Sequence, residues 1–456
     1  MITRRTFLAS SAAGIAVFAA RGPEWGADAV LARIKPPVFP NRDFDIVRYG
    51  ATGDGKKDCT EAIAKAIEAC TQAGGGRVVV QGGTFLTGAV HLKSNVNLHV
   101  AEGATLLFSR DPKHYLPVVF TRFESTECMN YSPFVYAFDQ TNIAITGKGT
   151  LDGQADCENW WLWTGRGRCA KPGVGQQQDR RAIVEMGDKD VPVRDRVFGE
   201  GHYLRPVFIQ PYRSKNVLIE DVTIKNSPMW EVNPVLCRNV TVRGVSISSH
   251  GPNNDGVDPE CCTDVLIENC IFDTGDDCIA IKSGRNRDGR RVGAACENLV
   301  IRGCTMKDGH GGVSIGSEVS GDVRNVFVEK CRMDSPNLDR ALRIKSNAQR
   351  GGTVENVVFR DVTVGQVAQA IVDIDFNYEE GAKGSFPPTV RNVLVENVTC
   401  KKSKYALYLR GFENDPIRDV RLSHCTFEHA DQPNVIEHVQ GLVAEDVTVN
   451  GAPLRI

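Results

Sequence analysis

At 456 residues the chain exceeds the usual size of one globular domain, so length alone points to two or three domains unless the fold is a solenoid. The 54 Lys and Arg set against 56 Asp and Glu leave a net charge of −2, which excludes a basic stripe for nucleic acid. Hydrophobic residues at 41% support a buried core, and 44 glycines call for many turns.

The N-terminus reads as a targeting segment. Thr3-Arg4-Arg5-Thr6-Phe7-Leu8 precedes an apolar run from Ala12 to Ala20, with Ala27-Asp28-Ala29 as a cleavage signal. The adjacent arginines resemble a bacterial twin-arginine export signal. The apolar run is too short to span a bilayer, so residues 1–29 are expected to direct export rather than anchor the chain. The mature protein is expected in the periplasm or secreted, as a monomer with no membrane span. Export permits disulfides, and with 15 cysteines at least one stays unpaired.

Residues 44–108 read as the first structural unit. A short strand over Phe44–Tyr49 leads into the turn Gly50-Ala51-Thr52-Gly53-Asp54-Gly55. Neither this turn nor Gly74-Gly75-Gly76 matches a phosphate-binding fingerprint. From Asp58, Ala62, Ile63, Ala66, Ile67 and Cys70 recur at helical spacing, which predicts a helix capping one end of a stack. Strands are predicted at Arg77–Val80, Val96–Val100 and Thr105–Phe108. Residues 152–205 then interrupt the pattern with Trp160, Trp161 and Trp163 and a polar run of little periodicity. The tryptophans suit either a platform for sugar rings or anchors that tie the excursion down.

From Asn216 a repeat sets in: Asn-Val-Leu-Ile-Glu-Asp-Val-Thr-Ile, then related units from Asn239, Asp264, Asn298, Asn325, Asn356, Asn392 and Asp419. Each unit alternates apolar and polar residues over two short strands, without helical periodicity. Units too small to bury a core alone predict an all-β fold, a right-handed parallel β-helix, over residues 40–456. The seventh position holds Val222, Val245, Cys270, Cys304, Cys331, Val362, Val398 and Cys425. Valine and cysteine interchange at one inward site, so these cysteines read as small core residues rather than metal ligands.

Chemistry-bearing residues cluster between Asn253 and Lys345. In the repeat frame Asp255 falls over Asp277, Asn254 over Asp276, and Asp276 over His310, while Asp258, Ala280, Ser314 and Arg343 share a phase. Strands in such a stack lie roughly 4.8 Å apart, so these side chains converge. Crowded carboxylates cannot all ionise freely, and one protonated acid beside one ionised base suits glycosidic cleavage. A Ca²⁺ or Mg²⁺ site and a plain acidic surface are the alternatives. Arg343 and Lys345, two apart on a strand, face one way and suit an anionic partner or simple charge balance.

The motifs Asn253-Asn254-Asp255-Gly256-Val257-Asp258, Gly275-Asp276-Asp277-Cys278, Gly309-His310-Gly311-Gly312-Val313-Ser314-Ile315-Gly316-Ser317 and Arg343-Ile344-Lys345 resemble, in order, those of the polygalacturonases, glycoside hydrolase family 28. The resemblance implies a right-handed parallel β-helix that hydrolyses pectic polysaccharide or oligogalacturonide with inversion, with no metal or other cofactor. By motif it makes Asp276 the general acid, Asp255 and Asp277 the pair that activates water, and His310 the group that tunes the acid. Arg343 and Lys345 are expected to clasp a galacturonate carboxylate, with Asn253, Tyr378 and Lys282 as further substrate contacts. The first motif departs from the family's common Asn-Thr-Asp, which leaves rhamnogalacturonan open as a substrate. A Ca²⁺-dependent pectate lyase and a non-catalytic carbohydrate-binding solenoid also remain, and the excursion over 152–205 could close one end of a cleft and impose exo action.

Overall fold

The computed structural model describes residues 26–456; the arginine motif and the apolar run of the leader lie outside them. The chain winds into a right-handed parallel β-helix. One sheet of 26 strands carries two ladders of short parallel strands, and a 6-stranded sheet built from Ile279–Ile281, Val313–Gly316, Arg340–Lys345 and three later strands forms another face. Single bridges from Val257 to Val232 and on to Ile209 extend that face towards the N-terminal coils.

Two columns of left-handed residues turn the chain at every coil. The residue that opens each repeat, from Asn216 (φ 54°) to Asp419 (φ 53°), has positive φ, as does the break residue five positions on, for example Gly244 and Gly303. Asparagine, aspartate and glycine tolerate that conformation best. The opening asparagines also stack: Nδ2 of Asn216 donates to Asn142 Oδ1 at 2.8 Å, Asn239 to Asn216 at 2.8 Å, and Asn356 to Asn325 at 3.0 Å. Aspartate at 264 interrupts this ladder, and there the N-terminal arm docks. Arg33 donates to Asp264 Oδ1 at 2.8 Å, the Lys35 amide donates to Asn239 Oδ1 at 3.0 Å, and Ala27 and Val30 of the short helix Ala27–Leu31 pack against Leu266, Val300 and Phe327.

The Val/Cys column points inward as its sequence pattern requires, with none of the eight side chains more than 2% exposed. The side chain at this position therefore acts as a small hydrophobe. Cys331→Val is expected to change stability by less than about 1.5 kcal/mol, measured by urea unfolding; a larger loss would mean the thiol does more than fill space.

The cap forms as a helix over Thr60–Gln72 with Ala62, Ile63, Ala66, Ile67 and Cys70 buried. The strand expected over Phe44–Tyr49 is shorter, Asp43–Asp45, because the Asp45 carboxylate accepts from the Val47 amide and turns the chain into a 3₁₀ helix over Ile46–Tyr49. The excursion is more ordered than its polar run suggests. A helix over Gln177–Asp188 buries Ile183 against Phe123, Phe198, Leu204 and Trp230, and a Cys157–Cys169 disulfide closes the loop before it. The three tryptophans prove to be anchors: Trp160, Trp161 and Trp163 are at most 9% exposed, and Trp161 Nε1 donates to Ser227 O at 2.8 Å. Among the described residues no helix is long and apolar enough to cross a membrane.

Candidate active site

The register assembles the site. Ala280 pairs with Ser314 and Ser314 with Arg343, while Val257 bridges Ile279, so Asp258 falls in line with Ala280 as the repeat frame predicts. The His310 amide donates to Asp276 O, and the Gly256 amide to Asp277 O, which sets the two acid-bearing turns and the His310 turn directly on one another. One oxygen each of Asp255, Asp276 and Asp277 then lies within 4.8 Å of the others. That spacing could admit a cation, although the positive groups described next already face these acids.

The three carboxylates are held in different ways. Asp277 is fully buried, accepting from Ser314 Oγ at 2.7 Å and Lys345 Nζ at 2.7 Å, with Arg343 Nη1 at 3.4 Å. Burial opposes its ionisation, but the charges of Lys345 and Arg343 outweigh it and hold the carboxyl below the ordinary aspartate range. Asp255 is pushed the other way, first by burial and then by the facing charges of Asp258 and Asp276, which Lys282 offsets only in part. Asp258 is likewise raised by burial. Both carboxyls are thus pushed towards the protonated form, and they titrate as a pair. Asp276 is the more open acid, its side chain 17% exposed, with Oδ1 at 2.9 Å from His310 Nδ1 and accepting from the Asp277 amide at 3.0 Å. The hydrogen bond to Asp276 raises the His310 imidazole against the effect of its burial.

Tyr378 closes the site opposite the cationic pair, its ring centroid 5.6 Å from the Arg343 guanidinium carbon and 5.4 Å from Lys345 Nζ. Asn253 takes positive φ, and its Oδ1 accepts from Arg205 Nη2 at 2.7 Å. Asn254, where the first motif departs from Asn-Thr-Asp, points inward. Its Nδ2 donates to Ser227 O and Met229 O, and its Oδ1 accepts from the Gly251 amide and Ser249 Oγ. The departure therefore changes how this turn is held rather than what faces the cleft. Lys282 is 3% exposed and lies among the carboxylates, over the face of Trp230.

Several contributors escaped the sequence reading. Arg205, buried, donates to Pro228 O and Pro252 O at 2.7 Å and so fixes the Asp255 turn. Arg180 of the excursion helix donates to Glu124 at 2.6 Å and, with Arg166 and Gln177, lines a hollow shared with Asn253, Tyr378 and Glu379. Glu318 follows the Gly316-Ser317 motif directly, a signal available in the sequence; Arg205 and Arg180 sit in an aperiodic stretch and carried none.

Comparison with known proteins gives the family. The fold superposes on the crystal structure of a hyperthermoactive exopolygalacturonase from Thermotoga maritima, 46% identical, with a TM-score of 0.91 over 94% of this chain and 96% of that one. A probable polygalacturonase of Vitis vinifera is 28% identical over 84% of this chain and 74% of its own length. An exo-poly-alpha-D-galacturonosidase of Dickeya chrysanthemi is 28% identical over 85% of this chain and 66% of its own length. The family model described as glycosyl hydrolases family 28 matches residues 199–446, more than half the chain and all four motifs. The chain belongs to the glycosyl hydrolases of family 28.

Proposed function

We propose that this glycosidase hydrolyses α-1,4-galacturonosidic bonds of polygalacturonate from a chain end, by acid/base chemistry with inversion. The observation that carries the reading is the split among the acids. Asp276 faces the cleft beside His310 and is placed to protonate the leaving oxygen. Asp277, pinned as an anion by Lys345 and Arg343, orients the attacking water, and Asp255, the more basic of the two, takes its proton. Arg343, Lys345 and Tyr378 together suit a sugar bearing its own carboxylate, with Asn253 at the edge of the same pocket. Exo action is supported by the excursion of residues 152–205, whose Arg166, Gln177 and Arg180 line the hollow beside Asn253 and Tyr378, and by the similarity to the exo-acting enzymes of Thermotoga maritima and Dickeya chrysanthemi. Residues 1–29 remain our candidate for an export leader, with residues 40–456 as the catalytic body.

Incubation with polygalacturonic acid in EDTA tests this directly. New reducing ends without ultraviolet absorbance, with galacturonate monomer as the product, are expected. An absorbing, unsaturated product that EDTA abolishes would instead make the enzyme a lyase, and mixed oligomers would sink exo action. Inversion makes the first product the β-anomer, visible by proton NMR before mutarotation. An initial α-anomer would assign retention and overturn this part of the proposal.

A further inference from the structure

Beside the three motif acids lie a fourth carboxylate and a buried amine that the roles above leave unused. Asp258 is fully buried, and neither of its carboxylate oxygens has a hydrogen-bond partner. Lys282 Nζ stands 3.6 Å from Asp258 Oδ2, 3.8 Å from Asp255 Oδ2 and 3.5 Å from Glu318 Oε2, and 4.4 Å from the centroid of the Trp230 ring. Lys282 lines the floor of the pocket that holds Asp255 and Asp276, with its amine ringed by three acids and an indole face.

The register gives the arrangement a pattern. Ile281 pairs with Ile315 and Gly316 with Lys345, so Lys282 and Lys345 stand in one column two coils apart. Lys345 serves Asp277, and Lys282 stands between Asp255 and Asp258. Each carboxylate of the proposed base thus has a facing lysine. Taking Asp255 as part of that base, as proposed above, we infer that Lys282 is a positioning residue: its ammonium, held by Glu318, lies between Asp255 and Asp258 and holds Asp255 in place as a carboxylate.

Both acids stand among like charges that Lys282 offsets. Asp255 faces Asp258, Asp276 and Asp277, with Lys282 and Arg205 as the facing cations. Asp258 faces Asp276, Asp277 and Glu231, with Lys282 and Lys345 opposing them. Glu318 is faced by Lys282, Arg285, Arg350 and Lys345, and by Glu379. Those cations outweigh its burial and keep it ionised, so it remains an anchor for the lysine. Without the ammonium, Asp255 sits in a buried site among three acids and takes up a proton at working pH.

The test measures kcat, KM and the pH dependence of kcat/KM on polygalacturonate for wild type, Lys282→Met and Lys282→Met/Asp258→Asn. Lys282→Met is expected to lower kcat about 100-fold, the lower end of what acid/base groups contribute. It should move the acid limb of the profile up by roughly 1 to 3 pH units and leave KM near the wild-type value. The double variant removes the competing acid, so its acid limb returns towards wild type. A raised KM with an unmoved acid limb would mean that Lys282 touches the sugar, and would overturn the inference, as would a Lys282→Met enzyme with wild-type kinetics. Lys282→Met strips buried acids of their cation and puts folding at risk, so Lys282→Arg is measured alongside. With the charge kept, its acid limb should stay where the wild type has it, and a limb that moves counts against the inference. A wild type inactive on polygalacturonate would instead refute the substrate reading, a separate failure.

Discussion

Asp276→Asn is expected to lower kcat by about 10²- to 10⁴-fold while leaving KM and thermal stability close to wild type. The substitution is nearly isosteric and the site is the open edge of the acid cluster, with the Asp276 side chain 17% exposed. An amide oxygen can still accept from the Asp277 amide, so the turn should keep its shape. What is lost is the proton. His310 changes as well, because the hydrogen bond that raises its imidazole is the first of its supports. The decisive control is a galacturonide with a leaving group that needs no protonation, on which the variant should recover most of its rate. A variant equally slow on both substrates would show that Asp276 is not the proton donor, and an unimpaired variant would remove it from the chemistry.

Lys345→Met should be the most destabilising single change in the site. It removes the 2.7 Å partner of a carboxylate with no exposure of its own, leaving Asp277 with Ser314 and the more distant Arg343. Breaking a buried pair from one side costs about 3–5 kcal/mol, and calorimetry should show it as a clear fall in melting temperature. Replacing Asp277 with Asn in the same chain should restore much of the stability and none of the activity. A double variant no more stable than Lys345→Met would mean the lysine acts through packing instead. The wild-type pair also fixes a pH dependence. A carboxyl held below its ordinary range contributes its full stability above about pH 4 and loses it only as the pH falls through its lowered folded value.

The convergence of Asp255, Asp276, Asp277, His310, Arg343 and Lys345 was legible because stacked coils repeat the same two-residue alternation, so phase in the sequence becomes position in space. The asparagine and Val/Cys columns were legible for the same reason. The excursion was not. Arg205 and Arg180 reach the site from a stretch without periodicity, and the antiparallel hairpin Val119–Phe123 with Thr126–Asn130 likewise lies outside the repeat. Their contacts join residues tens of positions apart with no shared spacing to announce them. Trp160 shows the same limit from the other side: composition allowed a sugar platform or an anchor, and only its packing on Tyr115 and Phe134 decided. Lys282 was expected to face substrate by proximity to the acids; it lines the same pocket as Asp255 and Asp276, but its contacts to Asp258 and Glu318 were not legible.

The break in the asparagine ladder also works as an address. Each asparagine donates down the stack and accepts from the coil above, so the row has a direction and every oxygen awaits a donor. A carboxylate at 264 cannot donate, which leaves Asn239 Oδ1 for the Lys35 amide and offers Arg33 a negative partner. One atom, oxygen for nitrogen at the Asp264 rung, thus gives the N-terminal arm a height along the cylinder at which to lie down, where an amide would have kept its neighbour's oxygen occupied.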